Sequence, residues 1–176
     1  MQITIVSGSN HEGSTTMKLC SYVAKCLADD GFEIRLFDIS TMPLPIMREG
    51  EKYEDHEHVQ NLRSWMGSAD GIVLATPEYH GAPSGALKNA IDFLWPEFRD
   101  KPVMVASVCG GAVGVSSLLQ LQTIVRQVHG INSPEWISLS GADRGFDADG
   151  APENPKMKGR VEGACAYLAK LVRALR

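Results

Sequence analysis

The four cysteines, Cys20, Cys26, Cys109 and Cys165, form no C-x-x-C pair, which excludes a zinc ribbon and a thioredoxin-type redox motif. Lysine and arginine form no block and the net charge is −4, so no nucleic-acid partner is expected. No apolar run approaches the length of a membrane span, so no membrane partner is expected either. The start Met1-Gln2-Ile3-Thr4-Ile5-Val6 lacks a basic segment and reaches Gly8 after a short apolar stretch. It reads as a poor signal peptide, and a cytoplasmic location is the expectation. No G-x-S-x-G elbow is present, so a serine hydrolase lacks its turn. Asp147-Ala148-Asp149 opens like a calcium loop, but Pro152 stands at the required glycine position and Lys158 at that of the bidentate glutamate. His56 and His58 are two residues apart among Glu54, Asp55 and Glu57. That spacing does not share a helix face, so a solvated acidic segment is expected there and no metal site.

What is present describes one domain spanning residues 1–176. Hydrophobic residues make up 44% and charged residues 22%, enough for a full core in a chain of this length. Strand-like apolar runs fall at residues 2–7, 33–38, 71–76, 102–108 and 134–139. Helical patterns fall at 14–29, 55–67, 84–94, 115–129 and 155–175, the last with Val161, Ala164, Leu168 and Leu171 on one stripe. Strict alternation of strand and helix points to an α/β fold with a parallel sheet covered on both faces. Five strands fit a doubly wound order 2-1-3-4-5, with ligands expected at the carboxyl ends of the strands. Residues 40–54, with Pro43 and Pro45, and residues 141–155 read as loops. Cys20, Cys26 and Cys165 lie in helical patterns and read as small buried hydrophobes.

Three of the strand ends look chemical. After the first comes Ser7-Gly8-Ser9-Asn10-His11-Glu12-Gly13-Ser14-Thr15-Thr16. Gly8 permits a sharp turn. Ser14, Thr15 and Thr16 open a helix whose free N–H groups suit a phosphate, with hydroxyls from Ser9, Ser14, Thr15 and Thr16 as further donors. A plain N-cap explains the same serine and threonines. The spacing Gly8…Gly13 mimics a P-loop, but Ser14 stands where the lysine belongs, so a nucleoside triphosphatase is not supported. Nor does the segment fit G-x-G-x-x-G.

After the third strand comes Thr76-Pro77-Glu78-Tyr79-His80-Gly81-Ala82-Pro83-Ser84-Gly85-Ala86-Leu87-Lys88-Asn89-Ala90-Ile91-Asp92. Tyr79 offers a flat apolar face, and the Gly/Pro-rich turn lets backbone approach a planar heterocycle. Leu87, Ala90, Ile91 and Leu94 form a core stripe, while Lys88 and Asn89 read as structural or as interface residues. After the fourth strand, Ser107-Val108-Cys109-Gly110-Gly111-Ala112-Val113-Gly114 again allows close approach. A reactive Cys109 needs a cation or a helix N-terminus to lower its pKa. Packing against a ligand is the plain alternative.

These motifs resemble the NADPH-dependent FMN reductases, a flavodoxin-like family. The second loop is similar to the family's P-E-Y-N/H-G…G-x-L-K-N-A-I-D almost without interruption. The first is similar to G-S-x-R-x-x-S-x-N, with His11 in place of the arginine and Thr16 in place of the asparagine. His11 is mostly neutral at pH 7, so phosphate affinity should rest on backbone and hydroxyl groups. The resemblance implies a flavodoxin-like three-layer sandwich that binds FMN without a covalent link. It implies a flavin site built from Ser9, His11, Ser14, Thr15, Thr16, Pro77, Glu78, Tyr79, His80, Gly81, Ser107, Cys109, Gly110 and Gly111. The Tyr79 loop would meet the N5 edge of the ring and the Gly110 loop its pyrimidine edge.

Hydride would pass from NADPH or NADH to FMN N5, then electrons to a small-molecule acceptor: free flavin, quinone, azo compound or a metal oxyanion such as chromate. No obligatory catalytic acid or base is named, because such chemistry belongs to the cofactor. For Glu78 a structural carboxylate, and for His80 a plain loop residue, are the competing readings. Arg48 and Arg99 are candidates for a 2′-phosphate. A homodimer or homotetramer is implied; Trp95, Pro96 and Phe98 lie near the rim and read either as part of an interface or as a cover for the sheet end. Two other readings stand beside this one. They are a flavodoxin-like electron carrier without nicotinamide turnover, and a phosphate-binding module that never holds flavin.

Overall fold

The computed structural model describes residues 1–111 and 114–176. Its centre is a parallel sheet of β1 (Gln2–Ser7), β2 (Glu33–Asp38), β3 (Gly71–Tyr79), β5 (Pro102–Cys109), β6 (Ile131–Asn132) and β7 (Ile137–Ser140), with a short β4 (Ala82–Pro83) antiparallel to the end of β3. The order is β2-β1-β3-β5, with β6 and β7 both pairing with β5 beyond it. This is the expected 2-1-3-4-5 arrangement, with its fifth strand divided. The expected strand at 134–139 starts late because Pro134 has no N–H to give a ladder. Pairing breaks there and resumes at Ile137.

Helices α1 (Thr15–Asp29) and α5 (Pro155–Ala174) lie on one face; α2 (Glu57–Ser68), α3 (Gly85–Asp92) and α4 (Ser116–Gln127) lie on the other. The strands alternate between the two cores, as a pleated strand must. Ile3, Ile5, Val73 and Met104 pack with Leu19, Val23 and Leu168. Val6, Ile72, Leu74 and Val105 pack with Leu62, Leu87 and Leu121. Leu87, Ala90, Ile91 and Leu94 are all buried, as their spacing predicts.

Asn89 is structural. Its side chain accepts from Met47 N (2.9 Å) and donates to Pro45 O (2.8 Å), pinning the 40–54 loop against α3. Lys88 pairs along its helix with Asp92. His56 caps α2 by accepting from Val59 N. Cys20 and Cys165 are buried, and burial pushes the Cys20 thiol up to about 12. Cys26 is only half-buried, and a hydrogen bond with Cys165 holds its thiol below the ordinary value. Phe98 is fully buried. This excludes the interface reading for Phe98 and leaves it as a core residue covering the sheet.

Pairing in register puts Ser7 beside Ala75, Ala75 beside Ala106 and Ala106 beside Ile137. The segments that follow β1, β3, β5 and β7 therefore leave the same carboxyl edge.

Candidate functional site

The first loop is fastened before it can hold anything. Gly8 N–H donates to Ala75 O at 2.7 Å, and Ser84 Oγ donates to Gly8 O at 2.5 Å. Ser84 Oγ also accepts from Leu87 N as the N-cap of α3, so one buried hydroxyl joins the first loop to the second. Ser9 Oγ accepts from His11 N (3.2 Å) and curls the loop. Ser14 is the N-cap of α1, accepting from Met17 N at 3.1 Å. The first turn of α1 contains no acidic residue. The N–H groups of Thr15 and Thr16 precede the first complete helical turn and have no carbonyl four residues back to accept them. A helix start with uncompensated positive dipole and three adjacent hydroxyl side chains suits a phosphate.

The second loop is a β-hairpin. The expected strand end at Thr76 is overrun to Tyr79, because Glu78 and Tyr79 pair antiparallel with Pro83 and Ala82. The two turn residues, His80 and Gly81, have φ of 52° and 74°, the signature of a tight hairpin turn with both central residues left-handed. Asparagine and histidine enter that region more readily than most residues. His80 is exposed and supplies the turn, while Gly81 O accepts from Gln120 Nε2 (2.7 Å). Glu78 Oε2 accepts from both the N–H and the hydroxyl of Ser117 (2.8 and 2.7 Å). It thus satisfies the start of α4, whose own N-cap Val115 makes no side-chain bond. We expect His80→Asn to leave stability within about 0.5 kcal/mol. His80→Val should cost about 1–2 kcal/mol, because left-handed backbone clashes with a β-carbon. Urea unfolding of both variants checks this.

The hairpin, the first loop and two further segments surround a cavity of about 410 Å³ lined by Ser9, His11, Ser14, Thr15, Thr16, Pro77, Glu78, Tyr79, Val108, Gly110 and Arg144. That volume is within the range of small-ligand sites. Tyr79 is half exposed, 51%, at its mouth. The remaining sequence candidates sit around this lining. Ser107 is fully buried, its hydroxyl 2.9 Å from Ser117 Oγ, one step behind Glu78. Cys109 is half-buried, with its sulfur accepting from Gly111 N (3.3 Å). Ala112 and Val113 of the third run are outside the described residues. Arg48 pairs with Glu51 instead, and Arg99 lies beside Asp70, Asp100 and Arg176.

The profile of the NADPH-dependent FMN reductases matches residues 1–143. The chain belongs to that family. Its activity is accordingly NAD(P)H-driven oxidoreduction through FMN. Among curated relatives, an NADPH azoreductase from Bacillus sp. strain OY1-2 is 32% identical over 96% of this chain and 93% of its own length. An FMN-dependent NADPH-azoreductase from Staphylococcus saprophyticus is 33% identical over 81% of this chain and 79% of its own. Among solved structures, the flavoenzyme NAD(P)H:(acceptor) oxidoreductase FerB of Paracoccus denitrificans superposes with a TM-score of 0.81. It is 21% identical over 98% of this chain and 97% of its own, a likeness of fold.

Within this FMN reductase, sequence reasoning missed Val108, Arg144 and the hairpin. His80-Gly81 was the signal for the hairpin. The signal for Arg144 was weaker: a loop following the fifth strand must leave the same sheet edge as the other three. No helix among the described residues is long and apolar enough to cross a membrane.

Proposed function

We propose that the cavity between these loops holds FMN, with its phosphate on the first loop and its ring between Tyr79 and Gly110, and that the protein passes electrons from NADPH to an azo compound. The observation that carries this reading is the lining itself. One cavity joins a phosphate-suited helix start to a half-exposed aromatic and a glycine-lined wall. FMN, when bound, supplies the hydride acceptance and electron donation.

The chain's residues supply the rest. Ser14, Thr15 and Thr16 offer hydroxyls, and the α1 N-terminus offers N–H groups. Gly8, locked by Ser84, fixes where that cradle stands relative to the hairpin. Glu78 holds the hairpin on α4 and is occupied by Ser117, so it is a positioning residue. Pro77 and Val108 exclude water from the inner wall, since both are buried. Tyr79, exposed at the mouth, suits stacking on a flat conjugated substrate. The names of the two curated relatives favour an azo compound as that substrate. The test is anaerobic turnover of a water-soluble azo dye with FMN, NADPH and catalytic protein. The expected result is loss of dye colour with two NADPH consumed per azo bond cleaved to two amines. Turnover of a quinone with the dye untouched would move the acceptor class and overturn the azo reading.

The same proposal includes self-association. A groove of about 380 Å³ between α3 and α4 is lined by Ile91, Leu94, Trp95, Ile124 and Val128, with Lys88, Asp92 and Gln127 at its rim. Trp95 is 64% exposed beside it. An exposed tryptophan against an apolar groove with a polar rim is the composition of an interface core. Sedimentation should give a dimer or tetramer, and Trp95→Arg should shift it to monomer. A monomeric wild-type protein at micromolar concentration would contradict this.

A further inference from the structure

Among the described residues, Arg144 is the only lysine or arginine lining the cavity. It sits on the 3₁₀ turn Gly141–Arg144 that follows β7. The turn is held in place twice. Arg144 Nε donates to Gly141 O at 3.1 Å, and Asn154 Nδ2, from the N-cap of α5, donates to Asp143 Oδ1 at 2.6 Å. Asp143 is thereby engaged elsewhere. Among the described residues, no carboxylate pairs with the Arg144 guanidinium, whose Nη1 and Nη2 remain available. Its guanidinium stands near Gly110: a β-carbon built there would be 4.0 Å from Arg144 Nη1. The guanidinium therefore lies over the third loop. The phosphate-suited start of α1 follows β1, three strand spacings from β7, about 14 Å across the sheet. The cation and the phosphate-suited helix start thus follow strands on opposite sides of one cavity.

We propose that Arg144 contacts the pyrimidine edge of bound FMN and holds the reduced cofactor more tightly than the oxidised one. The inference rests on the proposed seating of FMN in this cavity. The pyrimidine edge gains negative charge when the flavin takes up two electrons and one proton. A fixed cation in a partly enclosed site stabilises the form that carries the charge. Arginine's planar fork of donors also matches an edge that presents a ring nitrogen beside a carbonyl oxygen. The first loop carries no lysine or arginine between Gly8 and Met17, so among the described residues the permanent cation of the lining is Arg144, beside the third loop.

The experiment compares wild type, Arg144→Gln and Arg144→Lys. It measures oxidised FMN affinity by absorbance titration, the midpoint potential of bound FMN by anaerobic reductive titration, and riboflavin affinity. In Arg144→Gln, oxidised FMN affinity should change less than threefold, while affinity for the reduced form falls at least tenfold more than that for the oxidised form. That difference lowers the potential by about 30 mV or more for a two-electron couple. Lysine should restore most of it. An unchanged potential would overturn the proposal. So would a loss of affinity that is equal for both redox states and absent with riboflavin, which would make Arg144 a phosphate ligand. Failure of wild-type protein to bind FMN would instead overturn the cavity assignment, and this inference with it.

Discussion

Gly8→Ala is expected to lower stability by about 1–3 kcal/mol, the usual cost of forcing atoms into a packed site, and to weaken FMN binding at the same time. A β-carbon at Gly8 would stand 2.6 Å from Leu87 Cβ and 2.8 Å from Ala75 O. Neither atom is the free end of a side chain, so the first loop itself must move. In moving, it strains the Gly8–Ala75 bond and the Ser84 hydroxyl bond that align the two loops. For a chain of this length the melting temperature should fall by about 2–4 °C per kcal/mol. A control such as Gly13→Asn separates the packing effect from general loop sensitivity. Gly13 has φ of 68°, which asparagine tolerates, and nothing lies within 4 Å of its would-be β-carbon. Equal losses in both variants would show that packing at Gly8 is not the cause.

Riboflavin is expected to bind at least 100-fold more weakly than FMN. Two or more hydrogen bonds from the start of α1 to a phosphate, at about 1.5–3 kcal/mol each for a charged acceptor, amount to roughly 3 kcal/mol at the low end. That is about two orders of magnitude in affinity. The low end applies because this loop carries no lysine or arginine between Gly8 and Met17. FMN affinity should accordingly depend only weakly on salt, since hydroxyl and N–H donors are not screened as free charges are. His11→Arg should widen the gap between FMN and riboflavin several-fold. Isothermal titration with both ligands decides it, and discrimination below tenfold would remove the phosphate role from the first loop.

Much of this architecture was legible because the sheet is buried on both faces. Runs such as Ile72-Val73-Leu74-Ala75 and Val103-Met104-Val105-Ala106 admit few other readings. The first loop was legible because Ser14 sits one residue before a helical period. The hairpin was harder. Pro77 inside the segment argued for a strand end, and only the left-handed pair His80-Gly81 reveals that the chain continues to Tyr79 and folds back. Glu78 was ambiguous because its partner, Ser117, is distant in sequence. The carboxylate replaces a missing N-cap on α4, and local pattern does not report a cap borrowed from another element. Arg144 was only weakly signalled, for a related reason. The pairing of Cys109 with Ser140 brings it beside Gly110, and nothing in residues 141–155 distinguishes a cavity wall from a surface loop.

The central claim is that this cavity holds FMN in a form that NADPH reduces. The most direct test is anaerobic. FMN is added to the purified protein, NADPH follows, and the visible flavin band is recorded. The account predicts that FMN binds, and that catalytic amounts of protein bleach the band rapidly, with colour restored on admission of an acceptor. Tight binding of FMN that neither NADPH nor NADH bleaches would contradict it and leave an electron carrier in the same fold.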